Sequence, residues 1–397
     1  PACPSQRPAQ GPPPRQQRGR GRRRPARGKP RSPGASTHPS PLLAPTAPMP
    51  VAVPLRGVAL TAALAMASIV GVGALASPPP PAAAAGAGAV PDGKNVQLWV
   101  VGCGTLGSLV AEQWCAAHPD HVVVAETSTD SRHAQLAAFG ATPRLRSERQ
   151  ASDAGRAERV VFAVPPSGGA RGTGASPEEQ AVAYAREVEL AAELLGEGPG
   201  DRARLVFTSS SGVYAEQGGG VVVEGSPVRA DARAERILAA ERAALAAGGA
   251  AVRLAGLYTE TRGAHGFYMS RDAHDSTPYE LINLVSYEDA ASAVVAALAR
   301  GEAGRVYLAA DGAPLSRLQI CEAARLSPEY ADRALPAFRG TEGPEGKVLD
   351  ASATREALAW EPRWRSFAHY MGSRAGGAGA VEEESAAGGG AVPGAGA

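Results

Sequence analysis

Short apolar runs alternate with amphipathic helical segments between about residue 93 and residue 373. Near-continuous apolar runs of this length are typical of strands in a parallel sheet that helices cover on both faces. The runs are Val96–Val101, Val122–Ala125, Val160–Val164, Leu205–Thr208, Ala251–Leu254, Ile282–Val285 and Val306–Ala309. One intervening helix is predicted after Ser176, from an N-cap serine, a first-turn proline and a capping-box glutamate. The alternation predicts an α/β protein with a doubly wound, mostly parallel sheet, and the less regular pattern from Gly301 onward predicts a small C-terminal lobe on the substrate side.

Three glycines lie between the first apolar run and an amphipathic helix. Gly102 allows a tight turn, Gly104 lets backbone approach a phosphate, and Gly107 lets the helix pack closely on the strand. The helix N-terminus then offers free N–H groups and a partial positive charge to an anion. Because 48 of 397 residues are glycine, the spacing alone is weak, but its place between strand and helix favours a Rossmann-type dinucleotide site over a structural turn. We predict NAD or NADP as the cofactor, with contacts from Gly102, Gly104, Thr105, Leu106 and Gly107.

Charge divides a leader from the rest of the chain. No Asp or Glu precedes Asp92, whereas 11 of the 40 Lys and Arg residues do, which leaves 29 basic against 39 acidic residues. An Arg-rich, acid-free leader containing Ser and Pro is typical of an organelle transit peptide, although such clusters also attract nucleic acid. The net acidic remainder argues against RNA binding.

A second leader segment, Gly57–Ala76, is apolar and ends in a signal-like Ala74-Leu75-Ala76. It is rich in Ala and Gly, which makes it a poor membrane anchor, so we expect no stable membrane insertion. We expect a chloroplast protein of the stroma, with the thylakoid as the alternative. Residues 1–92 are assigned to targeting, 93–373 to the NAD(P)-binding domain and 374–397 to a disordered tail. The cysteine spacing indicates neither disulfides nor a metal site.

Two strand ends are expected to line the cofactor crevice. Glu126, at the end of the second strand, could accept hydrogen bonds from the adenosine ribose, which favours NAD, or be a solvated strand end. Arg132 lies just beyond it and could instead hold the 2′-phosphate of NADP. Ala163 and Pro165 end the next main strand, where they either contact the cofactor or only stop the strand.

Several later segments carry a family resemblance. Leu205–Tyr214 is a buried strand that ends in a cluster of hydroxyls, and Arg253–Tyr258, Asn283–Ala291 and Leu358–Pro362 follow it in order. With the glycine loop, these segments resemble the extended or atypical short-chain dehydrogenases/reductases, NAD(P)-binding relatives of sugar-nucleotide epimerases and dehydratases. The resemblance covers roughly residues 95 to 373 and extends to plastid members of that superfamily.

The resemblance implies an oxidoreductase or epimerase in which a Ser holds a substrate oxygen, a Tyr moves the proton, and a Lys four residues later lowers the pKa of the Tyr. Ser211, or its neighbour Ser210, would be that hydroxyl, unless the cluster only satisfies backbone groups at the strand end. When Glu241 is matched to the glutamate that follows the lysine, Arg233 and Ile237 stand where the Tyr and Lys belong. The tyrosine–lysine pair is therefore missing.

Other groups would have to replace that pair. Tyr214 and Tyr258 are expected at strand ends near the nicotinamide, Ser209 is expected to contact the cofactor, and Arg262 could clamp an anionic substrate. Ser211, Tyr214 and Tyr258 are the candidate catalytic residues for an unknown small-molecule substrate. The alternative function is a noncatalytic nucleotide-binding redox sensor or plastid assembly factor.

Overall fold

The computed structural model of the chain describes residues 95–166 and 174–375. The predicted transit peptide, the apolar segment Gly57–Ala76 and nearly all of the predicted tail lie outside the described residues. The final helix ends at Ala375, two residues beyond the predicted domain end at residue 373. Within the two described ranges, no helix is both long enough and apolar enough to cross a bilayer.

The described strands and helices alternate along the chain. The strands are β1 (Leu98–Val101), β2 (Val123–Thr127), β3 (Thr142–Leu145), β4 (Val160–Phe162), β5 (Leu205–Ser210), β6 (Gly218–Val222), β7 (Ala250–Leu254), β8 (Gly256–Tyr258), β9 (Ala273–His274), β10 (Leu281–Ile282), β11 (Leu284–Ser286), β12 (Val306–Ala309), β13 (Leu315–Ser316), β14 (Ala337–Phe338) and β15 (Gly346–Leu349). The α-helices are α1 (Thr105–Ala117), α2 (His133–Ala138), α3 (Pro177–Ala192), α4 (Ala232–Ala246), α5 (Ala264–Tyr268), α6 (Tyr287–Arg300), α7 (Arg317–Ala324), α8 (Ser352–Leu358) and α9 (Phe367–Ala375).

Seven strands form the main sheet in the order β12-β7-β5-β4-β1-β2-β3, and every neighbouring pair is parallel. The direction in which strands are added reverses between β1 and β4, which is the point where doubly wound sheets bind ligands. The predicted fold class, a doubly wound Rossmann-type sheet, is confirmed.

Helices cover both faces of this sheet. Val100 packs into a core with α1 and α6, whereas its neighbours Trp99 and Val101 pack into a second core with α3 and α4. Because both faces are covered, the strands are apolar along their whole length, which explains why short apolar runs marked them in the sequence. The predicted start of α3 is also confirmed, since the Ser176 hydroxyl accepts from the Glu179 amide.

Two strand assignments differ from the sequence prediction. The seventh strand of the sheet is β3, which contains Pro143 and no apolar run; it lies at the sheet edge, where a proline is tolerated. The run Ile282–Val285 is predicted as one strand of the main sheet. It is instead divided between β10 and β11, and neither of these strands belongs to the main sheet. Asn283, between them, is buried and its side chain bonds to backbone groups of Lys347 and Leu349 in β15.

A small lobe is present, but it is not confined to the residues from Gly301 onward, because it includes β6, which precedes β7, whereas β12 belongs to the main sheet. A small sheet in the order β13-β10-β15-β6 packs beside α5, α7 and α9. The lobe has its own apolar core, which includes Tyr258, Ile320 and Phe367. The loop after β8 and the first residue of α6 place Arg262 and Tyr287 beside the carboxyl ends of strands of the main sheet.

Candidate functional site

The three glycines of the loop between β1 and α1 have different structural roles. Gly102 has a φ of +93°, and a Cβ there would lie 2.7 Å from a methyl of Val164. A Cβ on Gly107 would lie 2.4 Å from the carbonyl oxygen of Gly102. A Cβ on Gly104 would meet no heavy atom of the described residues within 4 Å. The fold therefore requires Gly102 and Gly107, whereas Gly104 leaves an open backbone surface.

This open surface lies at the N-terminus of α1. Gly104 is the N-cap residue and has no side chain to accept from the first turn. The N–H groups of Thr105, Leu106 and Gly107 consequently have no acceptor inside the helix. The helix dipole places partial positive charge at the same point, so the loop can accept an anion.

Two adjoining cavities meet at Gly104, along the switch point of the sheet. The first, here called the β2 cavity, has a volume of about 650 Å³, and the second, the β5 cavity, has about 550 Å³. Residues lining the β2 cavity include Gly102, Gly104, Glu126, Thr127, Ser128, Thr129, Ser131, Arg132, Arg146, Ala163, Pro165, Glu179 and Glu187. Residues lining the β5 cavity include Gly104, Thr105, Leu106, Arg132, Ala163, Pro165, Tyr184, Thr208, Ser209, Ser210, Ile237, Gly256, Leu257, Arg262 and Tyr287. Every predicted cofactor residue except Gly107 lines one of these cavities, although contact with a cofactor remains a prediction.

Glu126 is not a solvated strand end. Its side chain is 1% exposed, and its carboxylate accepts hydrogen bonds from Arg146, Arg149 and the indole of Trp99. Arg146 and Arg149 come from the segment after β3, about 20 residues later, so their pairing with Glu126 was not visible in the sequence.

The end of β4 forms the wall between the two cavities. Ala163 and Pro165 line both of them, in agreement with their predicted place in the crevice. The hydroxyl of Tyr184 on α3 donates to the Val164 carbonyl at 2.6 Å and fixes this segment. Burial raises the pKa of Tyr184 well above its ordinary value, so its phenol stays protonated and serves as a structural donor.

The hydroxyl cluster after β5 is only partly directed at the β5 cavity. Ser210 lines the cavity, whereas Ser211, the first choice from sequence, lies in a 3-10 turn outside the lining. Ser209 also lines the cavity, but its hydroxyl donates to Glu241 at 2.8 Å. Glu241 in turn binds Arg253 through two contacts of 2.5 and 3.1 Å, so this buried network holds α4 against β5 and β7.

Both candidate catalytic tyrosines lie outside the linings of the β2 and β5 cavities, so the structure lends no support to their expected position beside a nicotinamide. Tyr214 is fully buried; its hydroxyl donates to the Glu224 carbonyl, and Arg253 covers its ring at 4.8 Å. Tyr258 is 1% exposed and packs edge-on against Phe367 in the core of the C-terminal lobe. The apolar rings of both tyrosines are buried in a core, and this burial raises the pKa of both phenols.

Helix α4 presents an apolar side chain where the family resemblance places a lysine. Ile237 lines the β5 cavity, which agrees with its alignment to the lysine position. Arg233, at the tyrosine position, is exposed on the first turn of α4 and does not line the cavity. The residues described along the β5 cavity include no Asp, Glu, His or Lys.

Two side chains supply the polar groups that α4 lacks. Arg262 donates to the Thr105 hydroxyl at 3.2 Å, and its guanidinium lies 5.5 Å from the centre of the Tyr287 ring. Tyr287 lines the β5 cavity from the first residue of α6. It was missed in the sequence, where only the family motif around it was recognised. Its aromatic ring just after an apolar strand was the available signal.

The sequence matches no protein-family profile and no curated protein. In structure, the chain resembles a functionally unknown conserved protein from Silicibacter pomeroyi, with 20% identity and a TM-score of 0.54 over 71% of this chain and 99% of that one. It also resembles UDP-glucose 4-epimerase from Thermotoga maritima solved with UDP-glucose, with 15% identity and a TM-score of 0.54 over 70% and 98% of the two chains.

A third similar structure is UDP-glucuronic acid 4-epimerase from Bacillus cereus in complex with NAD. It is 15% identical, with a TM-score of 0.54 over 71% of this chain and 98% of that one. The chain thus has the fold of NAD-dependent epimerases and dehydratases along almost their full length. At this level of identity the likeness extends to the fold alone.

Proposed function

We propose that this protein binds a nicotinamide dinucleotide across the β2 and β5 cavities. The observation that carries the proposal is Gly104, whose bare backbone lies where the two cavities meet, beside the uncapped N-terminus of α1. The pyrophosphate would rest there, between an adenosine half in the β2 cavity and a nicotinamide half in the β5 cavity. The NAD bound by the Bacillus cereus epimerase, which shares this fold, supports the same class of ligand.

The residues present fit such a ligand. A Cβ on Gly104 would project into open space, so the loop forms a cradle that only glycine keeps empty. Arg262 lines the β5 cavity and donates to Thr105 at the start of α1, so its guanidinium would lie near the pyrophosphate, and the described lining of the β5 cavity contains no carboxylate. A bound nicotinamide ring would supply hydride donor or acceptor chemistry. Ile237 would present an apolar surface to this half of the ligand.

We favour a binding role, as a redox-responsive sensor or assembly factor, over ordinary epimerase chemistry. The tyrosine–lysine pair is missing from α4, and Tyr214 and Tyr258 are both buried away from the cavities. Helix α4 therefore offers no proton-transferring group held next to a cation, and hydride transfer to a carbonyl loses the acid catalyst that the family resemblance implies.

A second candidate is an oxidoreductase or epimerase with a different acid. Tyr287 lines the β5 cavity beside Arg262, which supplies the positive charge that the lysine would have given. Ser210, rather than Ser211, would hold the substrate oxygen because Ser210 is the one at the cavity wall.

Calorimetric titration of the full chain with oxidised and reduced NAD and NADP tests the proposal, with UDP-glucose as a comparison ligand. We expect saturable binding of at least one dinucleotide. Absence of heat with all four dinucleotides would contradict it. If binding occurs, loss of reduced-nicotinamide absorbance on addition of nucleotide sugars or small carbonyl compounds would favour the enzyme over the sensor.

We also propose import into the chloroplast, on the composition of residues 1–92 alone. Fusion of those residues to a fluorescent protein should direct it to the stroma. A cytosolic or nuclear signal would contradict this proposal and leave the binding site unaffected.

A further inference from the structure

The carboxylate of Glu126 has no hydrogen-bonding capacity left for a ribose. One oxygen accepts from Arg146 Nε at 3.1 Å and from Arg149 Nη2 at 2.8 Å. The other accepts from Arg149 Nε at 3.0 Å, from Arg149 Nη2 at 2.7 Å and from Trp99 Nε1 at 3.2 Å. A carboxylate that binds both ribose hydroxyls must offer them free acceptor positions. Glu126 is instead occupied in positioning two arginines.

The ion pairs of Arg146 and Arg149 with Glu126 also neutralise the negative charge that would repel a phosphate at the end of β2. An unpaired carboxylate at the end of β2 repels a second anion, but here two guanidinium groups face one carboxylate. The side chain of Arg146 is 37% exposed and lines the β2 cavity. Its Nη1 binds Glu187 at 3.0 Å, and its Nη2 has no hydrogen-bond partner among the described residues.

Arg132 adds a second cation to the same cavity. It is half-buried, and it forms no ion pair with any residue in the described part of the chain. Hydroxyl groups of Ser128, Thr129 and Ser131 share the lining with it. Guanidinium and hydroxyl donors together are the groups that proteins use to bind phosphate esters.

The acidic side chains of the cavity are already engaged. Besides Glu126, the lining contains Glu179 and Glu187. Glu179 accepts from the backbone amide of Ser176 at 2.7 Å as part of the α3 capping box, and Glu187 is paired with Arg146. Among the described residues that line the β2 cavity, Arg132 is therefore the cation without an ion-pair partner, while Glu179 keeps its negative charge at the N-terminus of α3.

We propose that the β2 cavity selects a 2′-phosphorylated dinucleotide, NADP(H), over NAD(H). Arg132 and the free Nη2 of Arg146 bind the 2′-phosphate, and Glu126 orients Arg146 without touching the ribose. This inference rests on the dinucleotide binding proposed above. It makes Arg132 and Arg146 residues that determine cofactor specificity.

Calorimetric titration of the full chain with NADP⁺ and NAD⁺ at equal ionic strength measures the selection directly. One charge-assisted hydrogen bond corresponds to about tenfold in affinity or more, so NADP⁺ should bind at least about ten times more tightly. Arg132→Ala should weaken NADP⁺ binding by about the same factor and leave NAD⁺ binding nearly unchanged. Arg365→Ala removes an exposed arginine that lines neither cavity; it is the matched control and should change neither affinity.

The outcomes separate this inference from the proposed function. Equal or tighter binding of NAD⁺ would overturn the selection while leaving dinucleotide binding intact. If Arg132→Ala does not lower the ratio of NADP⁺ affinity to NAD⁺ affinity, the role of Arg132 is overturned. If the wild-type chain binds neither dinucleotide, the proposed function itself fails. Competition by 2′,5′-ADP but not by 5′-ADP would support the 2′-phosphate as the recognised group.

Discussion

Replacing Gly104 with valine should abolish dinucleotide binding without unfolding the protein. The φ of Gly104 is −75°, which any residue adopts, and a Cβ there meets no atom within 4 Å in the part of the chain that the structure describes. The main cost to folding is a poorer N-cap for α1, about 1 kcal/mol, or about 2–4 °C in melting temperature. A phosphate oxygen must come within about 3 Å of the backbone nitrogens at this point, and valine methyl groups occupy that space.

The loss in affinity follows from the hydrogen bonds that the phosphate would forfeit. Two charge-assisted bonds to the loop at about 1.5–3 kcal/mol each amount to at least about 3 kcal/mol, or more than a hundredfold in the dissociation constant. Calorimetry measures the affinity, and thermal unfolding of the same samples shows whether the fold is intact.

Matched variants distinguish a blocked site from a damaged fold. Gly200→Val also adds its side chain in open space but lies outside both cavities, so it should bind like the wild type. Gly107→Ala brings a Cβ to 2.4 Å from the Gly102 carbonyl and should lower stability by about 1–3 kcal/mol. Binding by folded Gly104→Val at wild-type affinity would refute a pyrophosphate at this loop.

Three further predictions concern the groups around the crevice. Glu241→Ala leaves the Arg253 guanidinium buried without a counter-charge and should cost about 3–5 kcal/mol in chemical denaturation, whereas exposed Glu235→Ala should cost far less. Burial raises the pKa of Asp311 to about 7, so the folded state retains a proton that the unfolded chain releases. The contribution of Asp311 to stability should therefore fall by roughly 4 kcal/mol between about pH 4 and pH 7, measured as the difference between the wild-type and Asp311→Asn curves of stability against pH, and equal slopes would contradict this. If a substrate is found, Tyr287→Phe should lower its turnover by about a hundredfold or more with unchanged dinucleotide affinity, and an unaltered rate would exclude that phenol as the acid.

Local patterns in the sequence were sufficient for most of the sheet and for the glycine loop. Six of the seven apolar runs are strands of the main sheet, because a strand covered on both faces must be apolar throughout. The edge strand β3 escaped prediction because its Thr-Pro-Arg-Leu segment contains no apolar run, and its Arg144 is buried through an ion pair with Asp153 that the sequence does not reveal. The run Ile282–Val285 was wrongly assigned to the main sheet, because an apolar pattern does not show which sheet a strand joins.

The candidate site was less predictable because its chemistry depends on pairing between distant segments. Glu126 has the type and place of a ribose ligand, yet Arg146 and Arg149 bind it from beyond the next strand. Tyr214 follows the hydroxyl cluster in sequence, but its ring turns into the core. In contrast, the missing lysine was predictable, since Ile237 has the expected position on α4 and lines the β5 cavity.

A crystal structure of the full chain with saturating NADP⁺ tests the central claim most directly. We expect the pyrophosphate against Gly104 and the first turn of α1, the adenosine 2′-phosphate beside Arg132 in the β2 cavity, and the nicotinamide beside Ile237 in the β5 cavity. A dinucleotide bound elsewhere, or a crevice that remains empty while the loop is unobstructed, would contradict dinucleotide binding at this switch point.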